Sequence, residues 1–378
     1  MICQSATLAL SRSRLLHNVQ LLRNHLGTRP ALCATIKANA YGHGVLPIAT
    51  LLQEAHITWC CVYSLEEALA IAHLPWHGIL VLAPFVETVH SRISETLEHS
   101  LLAPIRLTIT DIDSARRLSL TLGSRRMNRP LNVHIQIDTG LTRIGVDPDR
   151  LPALVAAIES LPNLHLEGLF AHLSHGDVRD HESLAQQMSI LQTLAAPLKK
   201  RLPHLLIHLQ NSGGSFHLPP HDFDLVRCGI ALYGLQASTR HPIPNLLPIA
   251  QLTAPILAIH ERPPHTGVGY GHTFVTTRHS RLAIVPVGYA DGYPRALSNH
   301  SIAQVHSIDV PVIGRVSMDQ LILDLTDIPT AAIGDTATVI SHDPTQPNSI
   351  DRMADTLDTI SYELTTHWSS RLRRITVE

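Results

Sequence analysis

Residues 31–44 read ALCATIKANAYGHG: an apolar run stops at Lys37 and gives way to small residues, a tyrosine and glycines. A buried strand that delivers one charged side chain to a loop has this pattern. It places an amine at the rim of a core, where loss of hydration disfavours the ammonium and makes the neutral, nucleophilic amine accessible. Such a lysine can form a Schiff base. The plainer reading of the same residues is a surface lysine just past a strand end. Further along, VHIQIDTGLTRIGV supplies Arg143 after a Gly-containing loop, GLFAHLSHGD supplies His172, HLQNSGG supplies Asn211 and Ser212, and DLVRCGIALYG supplies Arg227 and Gly229. Taken singly, the arginines read as solvated or salt-bridged loop residues, His172 as a core histidine and NSGG as a turn. Ser212 with Gly213, and Gly229 with Ile230, fit a phosphate cradle made from a hydroxyl and backbone N–H groups. The 26 histidines are scattered, and only His172, His175 and His181 approach metal-ligand spacing, so no metal site is expected.

These residues need a scaffold that brings distant loops together. Short apolar runs beginning near Ala31, Ile57, Gly78, Leu102, Leu131, Leu164, Leu205 and Asp224 alternate with helical patterns, such as residues 64–74 behind a Ser64/Glu67 capping box and residues 180–200. Residues 11–26 form a packing helix with Leu15, Leu16, Val19, Leu22 and Leu26 on one face. Eight strand-like runs separated by helices fit an α/β fold, a (β/α)8 TIM-type barrel, whose chemistry sits at the carboxyl ends of its strands. Lys37, Arg143, His172, Asn211, Ser212, Arg227 and Gly229 all follow such ends.

After Tyr233 the pattern changes. Pro242, Pro244 and Pro248 mark a linker, and from Gln251 the runs LTAPILAI, RLAIVPVGY, SIDVPVIG and QLILDL are rich in Val, Ile and Thr and broken by Gly, Pro and Asp. A mainly β C-terminal domain is expected, with one helix over 349–360 that presents Met353, Leu357 and Ile360 on one face. The expected division is 1–240 and 241–378.

Lys plus Arg is 29 and Asp plus Glu is 31, a formal charge of −2, which argues against nucleic acid as the main partner. No run approaches the roughly 18 apolar residues of a membrane span, and the apolar patch at the start is too short for a secretory segment, so a cytoplasmic protein is expected. Cys3, Cys33, Cys60, Cys61 and Cys228 lie mostly in apolar runs and read as free buried thiols.

KANAYGHG, DTGLTRIGV, HLQNSGG, VRCGIALYG, GVGYGHTF, PVGYADGYPR, GRVSMDQ and SYEL, in this order and across nearly the whole chain, resemble bacterial alanine racemase. That family consists of pyridoxal 5'-phosphate (PLP) enzymes with a barrel and a β domain. The resemblance implies interconversion of L-alanine and D-alanine, supplying D-alanine for peptidoglycan, in a homodimer with shared active sites. It implies that Lys37 holds PLP, that Tyr41, Ser212, Gly229, Ile230 and Tyr362 hold the phosphate, and that Arg227 faces the pyridine nitrogen. Arg143, His172 and Asn211 complete the cofactor's surroundings. By the same carry-over Tyr270, in GVGYGHTF, is the second catalytic base and comes from the partner subunit. Arg143, Tyr289, Met318 and Asp319 then belong to the substrate carboxylate region and entrance. Without the resemblance, Tyr270 reads as a turn tyrosine between glycines.

Racemisation asks for two bases, because a proton removed from one face of a planar carbanion must be returned to the other. Two departures from the family pattern stand out. Gln136 occupies the place of a lysine that the family commonly carries as an anionic carbamate, and a neutral amide cannot be carbamylated that way. Cys228 sits beside the phosphate cradle where a small residue or proline is usual, and reads as a small apolar filler. Competing readings are a racemase of serine or of broader range, a decarboxylase on the related barrel, and a non-catalytic PLP-binding protein. A decarboxylase would be expected to carry a second-domain cysteine, and no cysteine follows Cys228.

Overall fold

Apolar runs too short for helices, each followed by an amphipathic stretch, bury both faces in a parallel sheet wrapped by helices. The computed structural model, which describes residues 6–28, 30–86, 104–124, 130–179, 181–218 and 223–378, closes eight such runs into a barrel. After an initial strand Thr7–Ser11 (β1), the barrel strands are Ala31–Thr35 (β2), Trp59–Val62 (β3), Gly78–Pro84 (β4), Ile105–Ile109 (β5), Leu131–Gln136 (β6), Leu164–Phe170 (β7), Leu206–His208 (β8) and Leu225–Cys228 (β9). All are parallel, and β9 pairs with β2 to complete the ring. The expected barrel is therefore present. Leu102, where the fourth run was expected to begin, lies outside the described residues, as do Cys3 and Asp180.

Strand alternation divides the side chains cleanly. Leu32, Ala34, Val133, Ile135, Val226 and Cys228 join the main core under the helices, whereas Cys33, Trp59, Cys61, Leu80, Phe170 and Leu225 form a separate cluster on the inner face. The same inner face carries buried polar residues: Arg106, His134, Gln136, His208 and Arg227. Cys33, Cys60, Cys61 and Cys228 are free and buried, as expected.

The second sheet is built from Ala250–Pro255 (β10), Ala258–Arg262 (β11), Ser280–Val285 (β14), Ile302–Val305 (β15), Ile308–Ile313 (β16), Leu321–Asp324 (β17), Thr336–Ile340 (β18) and Arg373–Val377 (β19), together with β1. Gly267–Val268 (β12) and Phe274–Val275 (β13) make a small hairpin beside it. The sheet order is β11-β14-β17-β16-β15-β18-β10-β1-β19. β1 thus crosses the 240/241 boundary: it precedes the barrel in sequence but pairs with β10 and, in parallel, with β19.

Two helix expectations change. The first helix is Arg12–Leu26 with Ser11 as its cap, and the capping box at Ser64 starts Leu65–Ile71, shorter than expected. The helix expected over 349–360 covers only Ile350–Thr356, and a separate helix, Ser361–Thr366, follows it. Asp358 adopts a left-handed φ of 52° between them, which no continuing helix tolerates. Ile360 is therefore not on the first helix's face but exposed at the start of the second.

Candidate active site

Lys37, Tyr41, Arg143, His172, Asn211, Ser212, Arg227, Gly229, Ile230 and Tyr362 line one cavity of about 670 Å³ at the carboxyl ends of the barrel strands. Ten residues from six separate stretches of sequence meet there. Gln136, Thr35, Tyr63, Phe170, Glu363 and Thr366 also line it.

Lys37 opens an unusual turn. Ala38, Asn39, Ala40 and Tyr41 all have φ between 52° and 55°, a left-handed helical turn built without glycine. Each such residue costs about 1–2 kcal/mol, because its Cβ crowds the following carbonyl. The turn closes on itself through Ala40 N to Ile36 O and Gly42 N to Ala38 O, each 2.9 Å. Side chains help: Glu67 Oε1, from outside the turn, accepts from Ala38 N at 2.7 Å, and Asn39, within it, accepts from Val45 N at 2.8 Å through its side-chain Oδ1. His43, buried and stacked on Tyr233 at 4.3 Å, is within hydrogen-bond reach of the Ala40 and Tyr41 carbonyls through its Nδ1.

Arg143 is presented by a loop wound around Asp138. One carboxylate oxygen of Asp138 accepts from Gly140, Leu141 and Thr142 N–H groups at 2.9–3.1 Å. Burial opposes ionisation of this carboxyl, but the backbone donors outweigh it and hold its pKa down. Gly145 lets the loop return, since a Cβ there would lie 2.3 Å from Asp138 N. Gln136, at the end of β6, is buried beside this loop, and neither its amide nor the Arg143 guanidinium has a hydrogen-bond partner among the described residues.

At the last two strands, where a cradle is expected, the two loops are joined through Ser212. Ser212 Oγ accepts from Gly229 N at 3.0 Å and Ala231 N at 3.3 Å, tying the loop after β8 to the one after β9. Gly229 is required by close approach: a Cβ would sit 2.4 Å from the Tyr41 hydroxyl. The Tyr41 and Tyr362 rings lie 5.8 Å apart, and burial raises the pKa of both phenols, so each stays a protonated O–H donor at neutral pH. Burial likewise pushes the Cys228 thiol up to about 12, consistent with an inert filler.

Arg227 is fully enclosed. Its Nη1 meets His208 Nδ1 at 2.7 Å, and its Nη2 donates to Ala171 O at 2.7 Å and Leu209 O at 3.1 Å. The guanidinium lies 5.1 Å from the Phe170 ring centre. Behind it runs a polar chain that sequence reading did not single out: His208 to His134 at 2.9 Å, His134 to Glu167 at 3.0 Å, and Glu167 to Arg106 at 2.8 Å. Burial, with Arg227 next, pushes His208 well below its ordinary value, so it stays neutral and can accept from Arg227. His172, 3.4 Å from Arg227 Nη2, is lowered to about 3 by burial and by the neighbouring cations Arg227, Arg143 and Lys37.

The remaining expected site residues lie elsewhere on the chain. Tyr270 is 72% exposed, in a turn flanked by Gly269 and Gly271 with φ of 66° and 69°. It borders a shallow groove with Arg315, Ser317 and Gln320. Tyr289 and Met318 are exposed at 42% and 53%. Asp319 is paired with Arg371 at 2.8 Å. None of the four lines the barrel cavity. Among the described residues no group of three His, Cys, Asp or Glu side chains could hold a metal ion; His175 and His181 instead stack at 3.7 Å and share Ser183. No helix among the described residues is long and apolar enough to cross a membrane.

The cavity offers unclaimed donors to an anionic ligand. Lys37 Nζ, the Tyr41 and Tyr362 hydroxyls and Arg227 Nε have no partner among the described residues, and a hydroxyl-and-backbone cradle lies beside the two phenols. These features fit a phosphorylated carbonyl compound that an amine could hold covalently.

Comparison with known proteins agrees with this picture. The family described as alanine racemase, N-terminal domain, matches residues 10–237, and alanine racemase, C-terminal domain, matches residues 249–376. The chain is 36% identical to an alanine racemase of Halothermothrix orenii, covering 94% of this chain and 93% of that one. It is 33% identical to one of Synechocystis over the full length of both. Among solved structures, the alanine racemase of a D-cycloserine-producing Streptomyces lavendulae superposes with a TM-score of 0.87 at 28% identity, covering 100% of this chain and 98% of that one. The Bartonella henselae alanine racemase, solved with covalently bound pyridoxal phosphate, gives 0.83 at 29% identity, over 99% and 100%.

Proposed function

The chain belongs to the alanine racemase family, and from that premise we propose that it interconverts L-alanine and D-alanine with PLP held on Lys37. The observation that carries this reading is the placement of Lys37, the two protonated phenols and the Ser212–Gly229 cradle around one cavity. When bound there, PLP supplies an electron sink for negative charge at the substrate α-carbon. The rest is done by the chain.

Tyr41 and Tyr362 donate to the phosphate, and Ser212 with the Gly229 and Ile230 backbone encloses it. Arg227, whose Nε is left free, would face the cofactor's pyridine nitrogen. Its guanidinium keeps its proton, so it would leave the ring less electron-withdrawing than full protonation would. That favours racemisation over transamination. Asn211 and His172 complete the wall around the cofactor, and Arg143 binds the substrate carboxylate. Lys37 exchanges a proton with the α-carbon on one face.

The opposite face needs a second base, and the two tyrosines beside the cradle do not fit that role: Tyr41 and Tyr362 are held protonated by burial. Tyr270 of a second copy of the chain takes that part. Neutral His172, beside Arg227, is the group through which the arginine's charge can steady the phenolate. Tyr289, Met318 and Asp319, exposed on the same domain as Tyr270, form the substrate entrance of the paired molecule. D-alanine made in this way is the form that peptidoglycan synthesis consumes.

Incubating the protein with L-alanine and PLP should yield D-alanine until the two enantiomers are equal. Release of carbon dioxide without D-alanine would point to a decarboxylase, and binding of PLP with neither product to a non-catalytic carrier. Faster turnover of serine than alanine would move the assignment to a broader racemase.

A further inference from the structure

Four successive left-handed residues do not hold themselves, so something outside the turn must keep Lys37 and Tyr41 in place. Arg374, on β19 and 332 residues away from Gly42, reaches the turn. Its Nε and Nη2 both donate to the Gly42 carbonyl, at 3.1 and 2.7 Å. Its remaining donors go to the carbonyls of Trp368, Ser369 and Leu372 at 3.1–3.3 Å. All five N–H groups of the guanidinium are thereby spent on backbone carbonyls.

The two ends of this clasp matter. Gly42 follows Tyr41 directly, and Trp368 and Ser369 follow the helix Ser361–Thr366 that carries Tyr362. The segments are in intimate contact besides: a Cβ on Gly42 would fall 1.8 Å from Thr365 O, and one on Gly44 would fall 2.8 Å from the Arg374 Cδ. We propose that Arg374 is a positioning residue for the cofactor site, fixing the left-handed turn and, with it, the spacing of the Tyr41 and Tyr362 hydroxyls. It touches neither cofactor nor substrate. A lysine could not replace it, because a point-charge ammonium lacks the planar fork that meets one carbonyl twice while reaching three others.

The inference rests on the reading of the cavity as a PLP site, and the test separates the two. Apo-protein is titrated with PLP, following the cofactor's visible absorbance, for wild type, Arg374→Gln and Arg14→Met. Arg14 also clasps backbone carbonyls, those of Pro248 and His342, neither of them in the turn or in the segment after the Tyr362 helix, and so reports on general loosening. Wild type must bind; if it does not, the cofactor reading itself fails. Given that, Arg374→Gln should bind about tenfold more weakly or worse, with an altered absorbance, whereas Arg14→Met keeps wild-type affinity and spectrum. The double variant Arg374→Gln/Ala38→Gly should regain a large part of the lost affinity, since glycine takes the left-handed conformation without strain. If Arg374→Gln does not fold, Arg374→Lys carries the same comparison. PLP affinity within about twofold of wild type, equal losses in the Arg14 variant, or no recovery with Ala38→Gly would each overturn the proposal.

Discussion

The barrel cavity and the exposed patch around Tyr270 are built in opposite ways. In the cavity, buried donors are tied to backbone carbonyls and to one another before any ligand arrives: Arg227 is fixed by His208, Ala171 and Leu209, and Ser212 by its two backbone donors. Tyr270, Tyr289 and Met318 instead have side chains that project, exposed, from turns, and the three side chains themselves have no hydrogen-bond partner among the described residues. One region is a finished wall; the other is an open surface. On the proposed two-base reading, that difference is the division of labour expected of a racemase: one base held in a rigid pocket and the other on a surface that assembly would bring to it.

The largest effects should divide along that line. Lys37→Ala should abolish both turnover and covalent retention of PLP, and borohydride should fix the cofactor to the Lys37 peptide in wild type. Label on Lys199 or Lys200 would contradict the assignment; Lys199 is already engaged in an ion pair with Asp224 at 2.9 Å. Tyr270→Phe should lose activity by about 10²–10⁴-fold while still binding PLP. Cofactor loss in the Tyr270 variant would mean that the two regions are not separable.

A smaller effect concerns the chain behind Arg227. Burial opposes ionisation of Glu167, but hydrogen bonds and charge from His134 and Arg106 hold its pKa at about 2, against 4.5 ordinarily. A carboxyl depressed in this way adds stability above pH 4.5 and loses it as pH falls from 4.5 towards 2. The difference of 4.5 minus about 2 corresponds to about 3 kcal/mol. Glu167→Gln should be destabilised by about that much at pH 7 in urea unfolding, with the gap narrowing steadily below pH 4.5. A gap that stays constant with pH would remove the carboxylate from the account.

The smallest expected effect is none. With Gln136 in the wall, activity should not respond to removal of bicarbonate at constant pH and ionic strength, and Arg143 should be oriented by the amide oxygen or a small bound anion such as chloride. A reversible loss would show a carbamylated lysine elsewhere.

The two regions were also unequally legible. The barrel could be read because its strands are short apolar runs at regular spacing, and because Lys37, Arg143, His172, Ser212 and Arg227 each follow a strand end. The polar chain through Glu167, His134 and His208 could not, because single polar residues alternating with apolar ones look like a solvent-facing side; in a barrel that side is the interior. VHIQ and IHLQ were the available signal. Arg374 left no trace in sequence, since its partner Gly42 is distant and the contact is to a backbone carbonyl. The helix over 349–360 failed at Asp358, an ordinary residue whose left-handed backbone only packing reveals. For Tyr270, the residues alone suggested a turn, which it is; only the family pattern suggested a base.

The central claim is that Lys37 of one molecule and Tyr270 of another complete each site, and mixing two dead enzymes tests it most directly. Lys37→Ala and Tyr270→Phe are unfolded and refolded together. In a twofold pair, each mixed dimer has one site lacking both groups and one with both intact. Random association makes about half the dimers mixed, so activity should return to about a quarter of wild type. If both groups came from the same molecule, no mixture could restore a complete site. A refolded sample shown by mass spectrometry to contain mixed dimers, yet still inactive, would contradict the account.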